Sequence, residues 1–172
     1  ERGLRGGTEN VAYIVGFAKA LEIADGMREE ESARLIELRD RLINGLMKSI
    51  TKTILNGHPS KRLPNSANVS ILDIEGEAFT LFLNELGIYA STGSACTSES
   101  LDPSHVIIAT GLPYECAHGS MRFTLGRSTT EEDVDYVLSV VPAIVDILRK
   151  MSPLNLDESM VREEGKGELH YI

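Results

Sequence analysis

Apolar residues first recur at helical spacing at Val11, Ile14, Val15, Ala18 and Leu21, through about Ala24, which predicts a helix. Gly6-Gly7 make a flexible turn ahead of it, and Thr8 or Asn10 can cap it. A second, longer amphipathic helix is predicted over Glu29 to Ile50. Its stripe is Leu35, Leu38, Leu42 and Leu46, widened by Ile43, Met47 and Ile50, and such a stripe packs into a core. Asn56-Gly57 and Pro59 mark a turn. Beyond Pro64-Asn65 the alternation from Asn68 to Leu72 predicts a strand. Glu75 to Leu86 reads as a short helix burying Phe79, Phe82, Leu83 and Leu86, with Gly87 as its stop. A brief strand at Ile88–Ala90 and a short helix over Pro103–Ala109, ended by Gly111 and Pro113, follow.

Ser120 to Leu125 alternates cleanly: Met121, Phe123 and Leu125 face one way, Ser120, Arg122 and Thr124 the other. Thr129 and Glu132 form a capping box for a last long helix. Its buried stripe is Val134, Val137, Leu138, Val141, Ile144, Val145 and Leu148, and Pro142 should kink it. After Pro153 the pattern stops, and the charged tail 154–172 is expected to be mobile or partner-dependent. The order of elements predicts an α+β fold, a short sheet covered by helices.

Composition narrows the function classes. A chain of 172 residues can bury one core, or one core plus an appendage. The net charge of -9 and the lack of a basic stripe argue against binding to DNA or other nucleic acid. No apolar run is long enough for a membrane span and no signal peptide is visible. Cys96 and Cys116 are too far apart for a CxxC motif, so a reducing cytoplasm is the expected setting. His58, His105, His118 and His170 are scattered without metal-ligand spacing, so no metal is expected. The chain starts at Glu1, not Met, and is expected to be the C-terminal part of a longer protein.

Three groups carry candidate chemistry. Cys96 stands in the loop Ser91-Thr92-Gly93-Ser94-Ala95-Cys96-Thr97-Ser98, without the large apolar neighbours of a structural cysteine. Two readings stand: an incidental surface thiol, or a nucleophile on a loop that can reach and withdraw. Arg122 points away from Met121 and Phe123, where it can hold a carboxylate in a two-bond fork or make a domain-interface salt bridge. Arg127 directly precedes the last helix, which suits a structural role. Thr8, beside Gly6-Gly7 at a helix N-terminus, is placed for a phosphate or for plain capping. Cys116 is expected to be a semi-buried thiol without chemistry, and His105 to begin a short helix. His118, near Arg122, is a candidate for proton transfer.

Three segments together point to one family: Arg2-Gly3-Leu4-Arg5-Gly6-Gly7-Thr8-Glu9-Asn10, the cysteine loop, and Ala117-His118-Gly119-Ser120-Met121-Arg122-Phe123-Thr124-Leu125-Gly126-Arg127. In order and spacing they resemble the cysteine desulfurases of the NifS/IscS type, from Glu1 to about Pro153. That family belongs to the class-V aminotransferase branch of fold-type-I pyridoxal-phosphate (PLP) enzymes. The resemblance implies a junction segment and helix of the large PLP domain over 1–26. It implies the small C-terminal domain over 27–153, leaving the tail 154–172. It makes Cys96 the catalytic group that takes sulfur from L-cysteine as a persulfide, with L-alanine as the other product. Arg122 becomes the substrate-carboxylate ligand, Thr8 the contact to the PLP phosphate of the other subunit of a homodimer, and His118 structural. The Schiff-base lysine of the family lies upstream of Glu1, so this chain alone is expected to be inactive. The exposed stripe of its first helix is expected to drive self-association. The implied acceptor is an iron–sulfur scaffold or another sulfur-acceptor protein, including one serving thiolated tRNA. Alternatives are a selenocysteine lyase, or a non-catalytic sulfur-relay or docking module if this chain is the whole protein.

Overall fold

In a computed structural model, residues 6–92 and 103–156 are described. The longest element is α1, Val11–Ser49, a single helix of 39 residues. The two helices expected over this stretch are therefore one. Asn10 caps it, its side chain accepting the Tyr13 N–H at 3.2 Å. The stretch between the two stripes carries ion pairs at helical spacing, Arg28–Asp25 and Arg34–Glu31, which support helix where the apolar pattern lapses. Gly26 costs such a helix only about 1 kcal/mol. The first part of α1 is exposed, Tyr13 at 78% and Phe17 at 72%. The second part enters the core through Leu38, Leu42, Ile43, Leu46 and Ile50, while Met47 stays exposed. Residues 26 and 27, where the two expected units would meet, lie inside the helix.

Four strands form one antiparallel sheet in the order β1-β2-β4-β3: β1 Thr53–Leu55, β2 Ser66–Ile71, β3 Ser91–Thr92 and β4 Ser120–Thr124. The strand expected at Ile88–Ala90 is displaced to β3 because α2, Gly76–Glu85, ends in a tight turn. Gly87 takes φ +73°. Its N–H bonds Asn84 O at 3.0 Å and the Ile88 N–H bonds Leu83 O at 2.9 Å. This pair of bonds ties Ile88 to the helix end instead of the sheet. Phe79 and Leu83 of α2 are buried, whereas Phe82 and Leu86 are exposed.

Ala67, Val69 and Ile71 of β2 and Met121 and Phe123 of β4 share the main core with α1, α2 and α5, Glu131–Met151. α5 runs through Pro142 and starts at a capping box one residue later than expected, Thr130 with Asp133. The Thr129 hydroxyl accepts the Gly126 N–H at 2.9 Å instead.

A second, smaller core gathers Leu72, Ile107, Leu112, Cys116 and Ala117, with Ile54 and Leu156 against it. Two short helices supply most of it: α3, His105–Ala109, and α4, Tyr114–Ala117, the latter not anticipated from the sequence. The start of the tail is fastened here. Lys52 donates to Asp73 at 2.8 Å, to Asn155 at 3.0 Å and to the Leu156 carbonyl at 2.7 Å. The Leu156 N–H donates to Asp73 at 2.6 Å. Residues 157–172, the rest of the expected mobile tail, lie outside the described residues. No described helix is long and apolar enough to cross a membrane.

Candidate functional site

The site begins with the alternation of β4. Met121 and Phe123 are 0% and 5% exposed, and Arg122 between them faces out. Register then decides its neighbours: Asn68 of β2 lies directly opposite Arg122 on one side, and Ser91 of β3 on the other. Among the described residues no hydrogen bond or ion pair engages the Arg122 guanidinium. A planar cation with five donors is thus presented on a polar sheet face.

Behind Asn68 stands a fixed polar network. The Asn56 side-chain N–H2 donates to Asn68 Oδ1 at 2.8 Å and to Ser70 Oγ at 2.9 Å. The Asn56 N–H donates to the Asn68 carbonyl at 3.0 Å. Arg62 closes the network, donating to the carbonyls of Asn56 at 2.9 Å and His58 at 3.0 Å. Burial, with Arg39 nearby, pulls the Arg62 pKa below its ordinary value.

Cys96 falls in the segment 93–102, outside the described residues. Its N-terminal flank is β3, which pairs Ser91 with Arg122 and Thr92 with Met121. The chain therefore departs toward Cys96 from the strand beside Arg122. On the C-terminal side α3 opens at His105, which is exposed.

Thr8 is not brought to this face. It precedes α1 at the exposed end, beside Gly7 with φ +86°. Along the helix that end lies roughly 40 Å from Leu38, where α1 enters the core. Arg127 is at the joint of α1 and α5. Its carbonyl accepts from Arg34 at 3.0 Å. The Arg34 hydrogen bond, with Arg127 adding a smaller attraction, holds the Glu31 carboxyl below its usual pKa. The His118 ring meets Tyr114 edge to face at 5.1 Å, and its carbonyl accepts the Gly76 N–H at 3.2 Å. Cys116, 1% exposed, is more buried than expected. A cleft of about 440 Å³ is lined by Leu42, Ile88, Phe123, Thr124 and Val134, and Arg122 does not line it.

Sequence reasoning missed Asn56 and Asn68. Asn68 sits at an outward position of an alternating strand, but its pairing with Arg122 is a matter of register, which the sequence does not state.

The aminotransferase class-V family model matches residues 1–137. The cysteine desulfurase IscS of Methanosarcina thermophila is 60% identical over 158 residues, 92% of this chain and 39% of that protein. The cysteine desulfurase NifS of Azotobacter vinelandii is 48% identical over 167 residues, 97% of this chain and 42% of that protein. Among solved structures, a NifS-like protein superimposes with TM-score 0.72 at 36% identity, covering 86% of this chain and 37% of its own. A NifS-like protein from Rickettsia africae gives 0.70 at 26% identity, covering 83% of this chain and 37% of its own. The chain thus spans about two fifths of the length of the relatives it matches.

Proposed function

This chain belongs to the aminotransferase class-V family, and on that premise we propose that it is the C-terminal part of a PLP-dependent cysteine desulfurase. The observation that carries the reading is Arg122: a guanidinium with no partner among the described residues, beside the strand that leads toward Cys96. In this reading Arg122 binds the α-carboxylate of L-cysteine as a two-bond fork. The Cys96 thiolate attacks the substrate sulfur. An S–S bond to Cys96 forms, the substrate C–S bond breaks, and the carbon skeleton takes up protons and leaves as L-alanine. The persulfide then passes to a sulfur-acceptor protein, such as an iron–sulfur scaffold or a tRNA-thiolation partner.

The residues present fit part of a PLP site. Thr8, next to Gly7 in a positive-φ turn before α1, suits a phosphate at a helix N-terminus, and Arg122 suits the carboxylate of the amino acid. When bound, PLP supplies an electron sink for the substrate carbon. Lys52 is committed to Asp73, Asn155 and Leu156, and we place the Schiff-base lysine in the part of the relatives' length that this chain does not span. The separation of Thr8 from the sheet supports a homodimer in which Thr8 serves the cofactor of the other subunit. The exposed apolar residues from Val11 to Ile23 support the assignment of 1–26 to the large domain. The small domain is then 27–153, and 154–172 is the tail. We place the enzyme in the cytoplasm, where thiols stay reduced.

The test uses the complete enzyme treated with L-cysteine. Mass spectrometry should find the added sulfur on Cys96, and Cys96→Ser should abolish persulfide transfer while PLP binding persists. Sulfur mapped to Cys116 overturns the reading. The 172-residue chain alone should release no alanine from cysteine with PLP present; turnover would point to a lysine within it.

A further inference from the structure

We propose that Asn68 is a second ligand for the substrate carboxylate, its side-chain amide aimed by Asn56 so that two N–H donors stand beside the Arg122 guanidinium. This rests on the assignment of Arg122 as the carboxylate clamp and adds to it a residue on another strand. Asn68 and Arg122 are register partners in adjacent antiparallel strands, so their side chains leave the same face as neighbours.

The orientation of the amide follows from Asn56, which is 7% exposed. Its backbone N–H and carbonyl are taken by Asn68 and Arg62. Its side-chain N–H2 is shared between Asn68 Oδ1 and Ser70 Oγ, and its Oδ1 receives the Ser70 hydroxyl at 3.4 Å. With every polar group engaged, Asn56 is fixed, and it claims the oxygen end of Asn68. The Asn68 N–H2 is left to point elsewhere, and among the described residues nothing accepts from it.

The ligand class follows from the donors. A guanidinium and an amide N–H2 on one sheet face, without an acidic partner among the described residues, offer hydrogen bonds and accept none. A carboxylate fits: Arg122 takes one edge of it in a fork, and Asn68 reaches a remaining lone pair. The amide is neutral, so it adds geometric selectivity without adding charge.

The test is inhibition of cysteine turnover in the complete enzyme by L-alanine and by L-alaninamide, which lacks the carboxylate. Asn68→Ala should raise the inhibition constant for L-alanine about tenfold and leave that for L-alaninamide unchanged. Asn68→Ser, which keeps an acceptor for Asn56 but loses the outward N–H2, should behave alike and guards against a folding defect. Asn56→Ala should weaken L-alanine by a smaller factor, again sparing the amide, as expected of a positioning residue. Unchanged L-alanine inhibition in both Asn68 variants, or equal weakening of both inhibitors, overturns the proposal. Arg122→Ala separates the two assignments. If it weakens L-alanine and the Asn68 variants do not, Asn68 alone is misassigned; if it changes nothing, the carboxylate site is elsewhere.

Discussion

Ala67, Val69 and Ile71 of β2 and Met121 and Phe123 of β4 are buried against α1, α2 and α5. One residue along the same strands, Asn68 and Arg122 carry the polar face on which the carboxylate site is proposed. Only the two-residue period of a strand separates these sets, so a slip of one residue would exchange them. The apolar face holds the strands in register, and that register brings Asn68 opposite Arg122. Stability and the proposed ligand binding are thus divided between neighbours in the chain and can be perturbed one at a time.

The sharpest break in this comparison is Met121→Ala against Arg122→Ala. Met121 is 0% exposed, and its truncation should cost about 2–5 kcal/mol in urea denaturation. Arg122→Ala should change stability by less than about 0.5 kcal/mol. In the complete enzyme it should weaken cysteine binding about ten- to a hundredfold, the loss of a charge-assisted fork. Arg122→Lys should restore little, since a point charge does not reproduce the fork. Equal stability losses at the two positions would contradict the division between faces.

A milder test lies on the apolar side. Thr53 is the register partner of Ile71, and its hydroxyl is buried without a partner among the described residues. Thr53→Val should raise stability by about 1 kcal/mol, because an unmet donor is exchanged for a methyl. No gain in the melting temperature would mean that the hydroxyl is satisfied after all.

The smallest effect concerns the rim where α1 meets the loop before α5. Arg34 holds the Glu31 carboxyl below its ordinary pKa. This contribution is present above the unfolded value and fades as pH falls below it toward the lower folded value. In an acid titration of stability, Arg34→Gln should flatten that slope: the variant is less stable near neutrality, where the contribution is fully present, and the part of the loss due to Glu31 closes as pH falls.

What was legible in the sequence was local. The alternation at Ser120–Leu125 identified the inward residues of β4, and the stripe from Val134 to Leu148 identified α5, because each repeats a short period. Gly87 was readable as a helix stop because its positive φ suits no other residue as well. The capping box was misplaced by one residue because Thr129-Thr130 and Glu132-Asp133 offer the same chemistry twice; the loop hydrogen bond to Gly126 breaks the tie. The continuity of α1 was hidden because the apolar stripe lapses between Ala24 and Leu35, while charged side chains carry the helix across. β1 and α4 are too short to leave a periodic trace. Arg122 and Thr8 stood out as candidates through residue type and family resemblance, whereas the placement of Asn68 beside Arg122 required the pairing of two strands far apart in sequence.

The length of α1 has a mechanical consequence. A helix gripped by the core from Leu38 to Ile50 and bare from Val11 to Ile23 is a lever whose far end, in the proposed whole enzyme, is seated in the large domain. With about 40 Å between Leu38 and Val11, a tilt of about 10° at the gripped end would sweep the far end through roughly 7 Å. Side-chain repacking around Leu38 and Leu42 would therefore be magnified at Thr8. A substitution in this core, far from any ligand, could misalign a group at the opposite end of the lever without unfolding either part.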